Sequence, residues 1–207
     1  MIIITGSGPD MGKTVVSAIF LNSLNGDYWK PIECGSEENS DTATIRSLVN
    51  PAHHCIFEPA YALKAPLSPH HAARLENTTI EARFIRPPYT TRCLIVETAG
   101  GICVPLTNSI LSIDVLKSWN ARCVVVSKHY LGSINHTLLT IQTLKNLHIP
   151  VAGIVFNGEP NQDSEMAILT FSQLPLLGRL LPEANLNPFI IQKYAKQWNA
   201  TLCQHLL

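Results

Sequence analysis

The sequence predicts an α/β fold: a mostly parallel sheet with helices on both faces. Three observations carry this reading. Short β-branched apolar runs recur without polar alternation, helical patterns separate them, and a glycine-rich turn joins the first run to the first helix. With 207 residues and an apolar fraction of 46%, the chain can fill one sizeable core, so a single domain over residues 1–207 is expected.

The elements follow in chain order. Residues 1–5 read as a buried first strand, and residues 12–24 as the helix behind it. Tyr28-Trp29-Lys30-Pro31 is a short strand-like piece, followed by a helix around Asp41–Leu48, where Ser40 or Asp41 suits the cap. Residues 50–91 carry Pro51, Pro59, Pro66, Pro69, Pro87 and Pro88; proline lacks the N–H a helix needs, so no long helix is expected there. Residues 92–97, 122–127 and Val151–Asn157 read as further buried parallel strands. Between the last two, Ile134, Leu138, Ile141 and Leu144 form one apolar face of a crossover helix over residues 134–147. A last helix is predicted over Pro188–Leu206, with Pro188 suited to its first turn. Ligands of such a fold gather at the carboxyl ends of the strands.

Composition narrows the partners. Fifteen basic residues balance fifteen acidic ones, so no nucleic-acid or membrane-surface partner is expected. No apolar run approaches the roughly 20 residues that span a bilayer, and the leading run has no basic residues before it, so a cytoplasmic protein is expected. The six cysteines form no C-x-x-C pair and fit a reducing compartment. Cys93, Cys103 and Cys123 are expected as small buried apolar residues. The doublets His53-His54 and His70-His71 are not expected to bind metal, because adjacent side chains point apart.

The turn Gly6-Ser7-Gly8-Pro9-Asp10-Met11-Gly12-Lys13-Thr14 carries the main chemical signal. A strand, a glycine-rich turn and Gly-Lys-Thr at a helix start wrap backbone N–H groups around phosphate oxygens. The expected fold is therefore P-loop NTPase-like. Lys13 would neutralise the β- and γ-phosphates and the Thr14 hydroxyl would ligate Mg²⁺. The common spacing G-x-x-x-x-G-K-[ST] asks for glycine at position 7, where the chain has Ser7. A second carboxylate for the metal is expected at the end of a neighbouring strand, and Glu97 ends Leu94-Ile95-Val96 before Thr98-Ala99-Gly100-Gly101. Lys30 could face the same phosphates or be a solvated surface lysine. Asp41 could ligate metal or simply cap a helix.

Together these motifs resemble dethiobiotin synthetase, over nearly the whole chain. That family's loop G-T-D-T-x-V-G-K-T has the same long spacing as Gly6 to Gly12. Its Lys-Pro-Val-x-[ST]-G segment is similar to Lys30-Pro31-Ile32-Glu33-Cys34-Gly35, and its E-G-A-G-G to Glu97-Thr98-Ala99-Gly100-Gly101. Ser68-Pro69-His70, the run from Leu131 to His136, and Val151–Asn157 resemble further family motifs.

The resemblance implies ATP, Mg²⁺, CO₂ and 7,8-diaminononanoate as reactants, and a homodimer with shared sites. It makes Thr14, Asp41 and Glu97 the metal ligands, and Lys13 and Lys30 the catalytic cations. Nucleotide contacts would come from Asp10, Met11, Gly12, Lys13, Thr14, Val15, Thr98, Ala99, Gly100, Asn157, Gly158, Leu181, Pro182 and Glu183, with Asn157 holding the base. Cys34 would touch substrate, and Ser133, Ile134 and Asn135 of the partner subunit would receive its carboxylate.

The chain departs from the family pattern at Pro9, Cys34 and Thr98, each in the site. Pro9 removes a backbone donor, and Cys34 offers a weak S–H where a hydroxyl is usual. A related P-loop amidoligase, a partition-type switch ATPase and a degenerate nucleotide-binding copy are the alternatives.

Overall fold

The continuous apolar runs become strands buried on both faces. In the computed structural model, which describes residues 1–206, the order across the main sheet is β4-β2-β6-β1-β7-β8-β9, and every pairing in it is parallel. The strands are β1 (Ile2–Gly6), β2 (Asp27–Trp29), β4 (Ile56–Phe57), β6 (Leu94–Glu97), β7 (Arg122–Lys128), β8 (Val151–Asn157) and β9 (Leu176–Leu180). A separate parallel pair joins β3 (Ile32–Cys34) to β5 (Tyr61–Leu63). Leu207, the last residue of the expected domain, lies outside the described residues.

Pleating sends alternate side chains into two cores. On one face Ile2, Ile4, Val124 and Val126 pack under α1 (Lys13–Leu24), α2 (Asp41–Leu48) and α7 (Pro188–Leu206). On the other, Ile3, Cys123 and Val125 pack with α3 (Pro69–Leu75), α4 (Ser112–Leu116), α5 (Ser133–Asn146) and α6 (Gln162–Ser172). The α/β architecture expected from the sequence is therefore present, with helices on both faces.

Helix α7 approaches the sheet closely at Gly178 in β9. A Cβ there would lie 2.4 Å from Cδ2 and Cε2 of Trp198 in α7. Overpacking of this kind costs about 1–3 kcal/mol. Gly178→Ala is expected to lower the urea midpoint accordingly, and an unchanged midpoint would contradict the seating of α7 on β9.

Element edges moved for identifiable reasons. β1 runs to Gly6, which pairs with Val126, and β6 starts at Leu94, two residues later than expected. α5 begins at Ser133, directly after Gly132 with φ 99°. Helix α7 begins at Pro188 as expected. The stretch at 50–91 holds only short elements: β4, β5, α3 and one 3₁₀ turn at Ala82–Phe84. Cys123 is fully buried, but Cys103 is exposed in the loop after Gly101 and Cys93 is only half-buried, so the expectation for those two fails. Cys103 sits outside any strand, where nothing covers it. No helix among the described residues is long and apolar enough to cross a membrane.

Candidate active site

The carboxyl ends of β1, β2, β6 and β8 open onto one cleft of about 920 Å³. Its floor is the loop between β1 and α1. Two of its residues, Asp10 at φ 55° and Gly12 at φ 88°, adopt left-handed backbone, which lets the chain wrap tightly before the helix starts. Gly12 is required for a second reason: a Cβ there would come within 2.4 Å of Asn157 Nδ2. Lys13 is buried, and its ammonium folds back to donate to the Gly8 carbonyl at 2.7 Å. Burial holds its pKa below the ordinary lysine value, with Glu97 opposing that shift.

At the head of α1 three oxygen-bearing side chains from different elements converge. The Thr14 hydroxyl lies 2.6 Å from Asp41 Oδ1 and 2.9 Å from Glu97 Oε1. Tyr28 donates to the other Glu97 oxygen at 2.9 Å. Ser40, not Asp41, caps α2, its hydroxyl accepting from the Ala43 N–H at 3.0 Å. Asp41 is thereby left to point into the cleft.

Lys30 reaches this cluster from the end of β2. Its ammonium pairs with Asp41 and lies 3.5 Å from Glu33 Oε1 and 3.8 Å from Glu97 Oε1. Burial alone would depress its pKa, but Glu97, Asp41 and Glu33 together raise it, so Lys30 is firmly charged. Asp41 is lowered, since the charge and hydrogen bond of Lys30 outweigh burial. Burial raises the Glu97 pKa and the Asp41 charge adds to that, against the opposing charges of Lys30 and Lys13. The solvated-lysine reading of Lys30 is excluded by its 5% exposure.

Of the residues expected from the sequence, Asp10, Gly12, Lys13, Thr14, Val15, Lys30, Cys34, Asp41, Glu97, Ala99, Gly100, Asn157, Leu181, Pro182 and Glu183 all line the cleft. Asn157 anchors itself by donating to the Met11 carbonyl at 2.9 Å. Glu183 Oε1 accepts from the Tyr194 hydroxyl at 2.7 Å. Burial raises the Cys34 thiol to about 11, so it stays protonated at neutral pH.

Three of the expected residues lie outside the cleft wall. Thr98 follows Glu97 in the pleat and so faces away from the cleft; its hydroxyl lies 3.1 Å from Thr5 Oγ1 and 3.0 Å from the Gly100 carbonyl. The Met11 side chain packs into the core beside α1. Gly158 is not in the cleft wall, and its N–H donates to Leu180 O at 2.9 Å. Ser133, Ile134 and Asn135, expected to act from a partner subunit, lie away from the cleft of their own chain: Ser133 is buried, Ile134 packs on the core and Asn135 is exposed. The structure also adds Pro66, Leu67, Ser68 and Pro69 at the head of α3, with Val104 and Leu186. The Ser68-Pro69 motif was the available signal.

A phosphate-cradling loop between the first strand of a parallel sheet and its helix, ringed by lysines, a hydroxyl and carboxylates, defines a P-loop nucleotide-binding α/β protein. A family model described as an AAA domain matches residues 1–189. The fold is similar to that of the septum site-determining protein MinD of Pyrococcus horikoshii, complexed with Mg-ADP, at TM-score 0.61 and 13% identity, covering 98% of this chain and 93% of that one. The MinD cell division ATPase of Pyrococcus furiosus gives 0.58 and 14%, over 95% and 97% of the two chains. At such identities these likenesses show the fold alone.

Sequence relatives carry the identification further. The chain is 40% identical over 201 residues to the ATP-dependent dethiobiotin synthetase BioD of Christiangramia forsetii, covering 97% of each. The same-named protein of Chlamydia pneumoniae is 43% identical over 197 residues, 95% of this chain and 88% of that one. That of Cytophaga hutchinsonii is 46% identical over 193 residues, 93% of each. The chain belongs to the dethiobiotin synthetase family, and is an enzyme of the ATP-dependent ligase type.

Proposed function

We propose that this chain is a dethiobiotin synthetase that closes a ureido ring from 7,8-diaminononanoate and CO₂ at the expense of ATP, in biotin biosynthesis. The observation that carries this reading is the convergence of Lys13, Thr14, Lys30, Asp41 and Glu97 at the centre of one cleft. To one side lie Asn157, Leu181, Pro182 and Glu183; the wall also includes Cys34 and Ser68. At about 920 Å³ the cleft lies within the size range of small-molecule sites, about 300–1,000 Å³. Its wall draws on residues from Pro9 to Leu186, which supports one working domain.

Mg²⁺ fits the residues present. Two carboxylates and a hydroxyl form an all-oxygen set suited to a hard cation that takes its other ligands from phosphate and water. Thr14, Asp41 and Glu97 would hold it, and when bound it would neutralise charge on the β- and γ-phosphate oxygens.

The side chains divide the remaining work. The amides at the start of α1 cradle phosphate oxygens, and Lys13 exchanges the Gly8 carbonyl for them. Lys30 places a fixed positive charge beside the transferring group. Asn157, whose Nδ2 already holds the Met11 carbonyl, presents its remaining amide edge to the base. Asp10, Ala99 and Gly100 wall the nucleotide, and the Cys34 S–H faces the second substrate.

One amine of the diamine adds to CO₂, loses a proton and becomes a carbamate. A carbamate oxygen then attacks the γ-phosphorus and expels ADP, giving a carbamic-phosphoric anhydride. The second amine attacks the carbonyl carbon, phosphate leaves and the ring closes. No protein nucleophile is required; the chain positions and neutralises.

The substrate carboxylate is assigned to the start of α5 from a second copy, where Ser133, Ile134 and Asn135 lie. Exposed Leu131, just before that helix, and exposed Leu139 within it support a homodimer interface. The free cysteines accord with a cytoplasmic setting. The test is ADP release by purified protein with ATP and Mg²⁺. Release that requires both bicarbonate and the diamine is expected; hydrolysis indifferent to both would overturn the assignment.

A further inference from the structure

Glu33 is a buried carboxylate without a place in the chemistry described above. It lies on β3, 6% exposed, eight positions before Asp41 in the sequence and directly beneath it in space. Both its oxygens are engaged. Oε1 accepts from the Asp41 N–H at 3.3 Å and lies 3.5 Å from the Lys30 ammonium. Oε2 accepts from the Thr42 N–H at 3.1 Å and from the Thr42 hydroxyl at 2.7 Å.

The first N–H groups of a helix have no partner within it and attract negative charge. In α2 the Ser40 hydroxyl takes the Ala43 N–H, and Glu33 takes those of Asp41 and Thr42. A carboxylate of the chain itself thus fills the seat that the start of α2 would otherwise offer to a phosphate oxygen. The helix therefore faces the cleft with the side chain of Asp41 instead of with its amides. The same carboxylate stays beside Lys30, so one buried group ties the end of β2 to the start of α2.

We propose that Glu33 is a positioning residue that sets Asp41 and Lys30 at their common locus and keeps a counter-charge on Lys30 when Asp41 and Glu97 turn to a cation. This rests on the roles assigned above to Asp41 and Lys30. The family pattern that Lys30–Gly35 resembles leaves the position of Glu33 unspecified, and its chemistry shows only once α2 folds back over β3.

The test uses the full chain with Glu33→Ala and Glu33→Gln. Two quantities are measured: the Mg²⁺ concentration that half-saturates ATP binding, by calorimetry without other substrates, and kcat for ADP release with bicarbonate and the diamine. Glu33→Ala is expected to raise the Mg²⁺ requirement and lower kcat, each by about tenfold or more, the scale of a lost charged hydrogen-bond set. Glu33→Gln keeps an oxygen for Thr42 but not the charge on Lys30. Its Mg²⁺ requirement should return to within about threefold of the parent while kcat stays depressed.

A merely structural carboxylate would lower the melting temperature and leave both quantities unchanged in the folded fraction, and that result overturns the proposal. Should Glu33→Ala fail to fold, Glu33→Gln decides alone: depressed kcat supports the role and parental kcat overturns it. The Mg²⁺ measurement needs neither bicarbonate nor the diamine. It therefore answers separately from the loss of substrate-dependent ADP release in the parent protein, which would instead overturn the assigned reaction.

Discussion

Lys13→Ala is expected to lower kcat/KM for ATP by about two to three orders of magnitude, the range seen when a donor aimed at developing phosphoryl or oxyanion charge is removed. Lys13 is 6% exposed, yet its only hydrogen bond within the described chain is to the Gly8 carbonyl. Burial already works against its charge. Truncation therefore removes a group held ready for an anion, and the fold should lose little. Steady-state kinetics together with nucleotide-binding titration and a melting curve check this. A large loss of ATP affinity or turnover at near-parental melting temperature is expected. Unchanged kinetics would remove the loop from the mechanism.

Lys30→Met should damage both stability and activity. Removing the ammonium leaves Glu33 and Glu97, 6% and 1% exposed, without their main counter-charge. Breaking a buried pair by deleting one partner costs about 3–5 kcal/mol. Asp41 adds less, since its side chain is 39% exposed and solvent screens it. The pKa of Lys30 is raised on folding, so its stabilising effect is present below the ordinary lysine value and is lost only as pH climbs through the higher folded one. The deficit should therefore persist throughout the neutral range. Urea unfolding measures it, and adding Glu33→Gln should recover part of the stability without recovering turnover. Parental stability in the single variant would contradict the arrangement of charges around Lys30.

How much of this was legible in the sequence depended on how locally each feature is encoded. β8 and α7 match their predicted bounds because a continuous apolar run and a proline-led amphipathic stretch are complete signals in themselves. β9 was missed: Gly178 and Arg179 interrupt its apolar run, and its place in the sheet comes from pairing with β8. α6 was missed despite the Asn161 cap, whose side chain accepts from the Ser164 N–H. β3 and β5 have three residues each, too few to show a period.

The site divided along similar lines. The phosphate loop was readable from residues alone, because one turn carries all its parts. Asp41 was ambiguous between a ligand and a cap until Ser40 was seen to do the capping. Thr98 was misplaced because a motif was carried over residue by residue, whereas the pleat sends every second side chain to the opposite face. Glu33 and Tyr28 were not read as parts of the site, since their contacts join β3 to α2 and β2 to β6 across the fold.

In the proposed reaction a carbamate made from CO₂ attacks ATP in this cleft. The most direct test of that step supplies freshly dissolved, heavy-oxygen-labelled CO₂ with ATP, Mg²⁺ and the diamine, and reads the released phosphate by mass spectrometry. If the carbamate oxygen becomes the bridge to phosphorus, each phosphate released at ring closure carries one labelled oxygen. Phosphate released without label would mean that water, not carbamate, attacked the nucleotide, and would contradict the account.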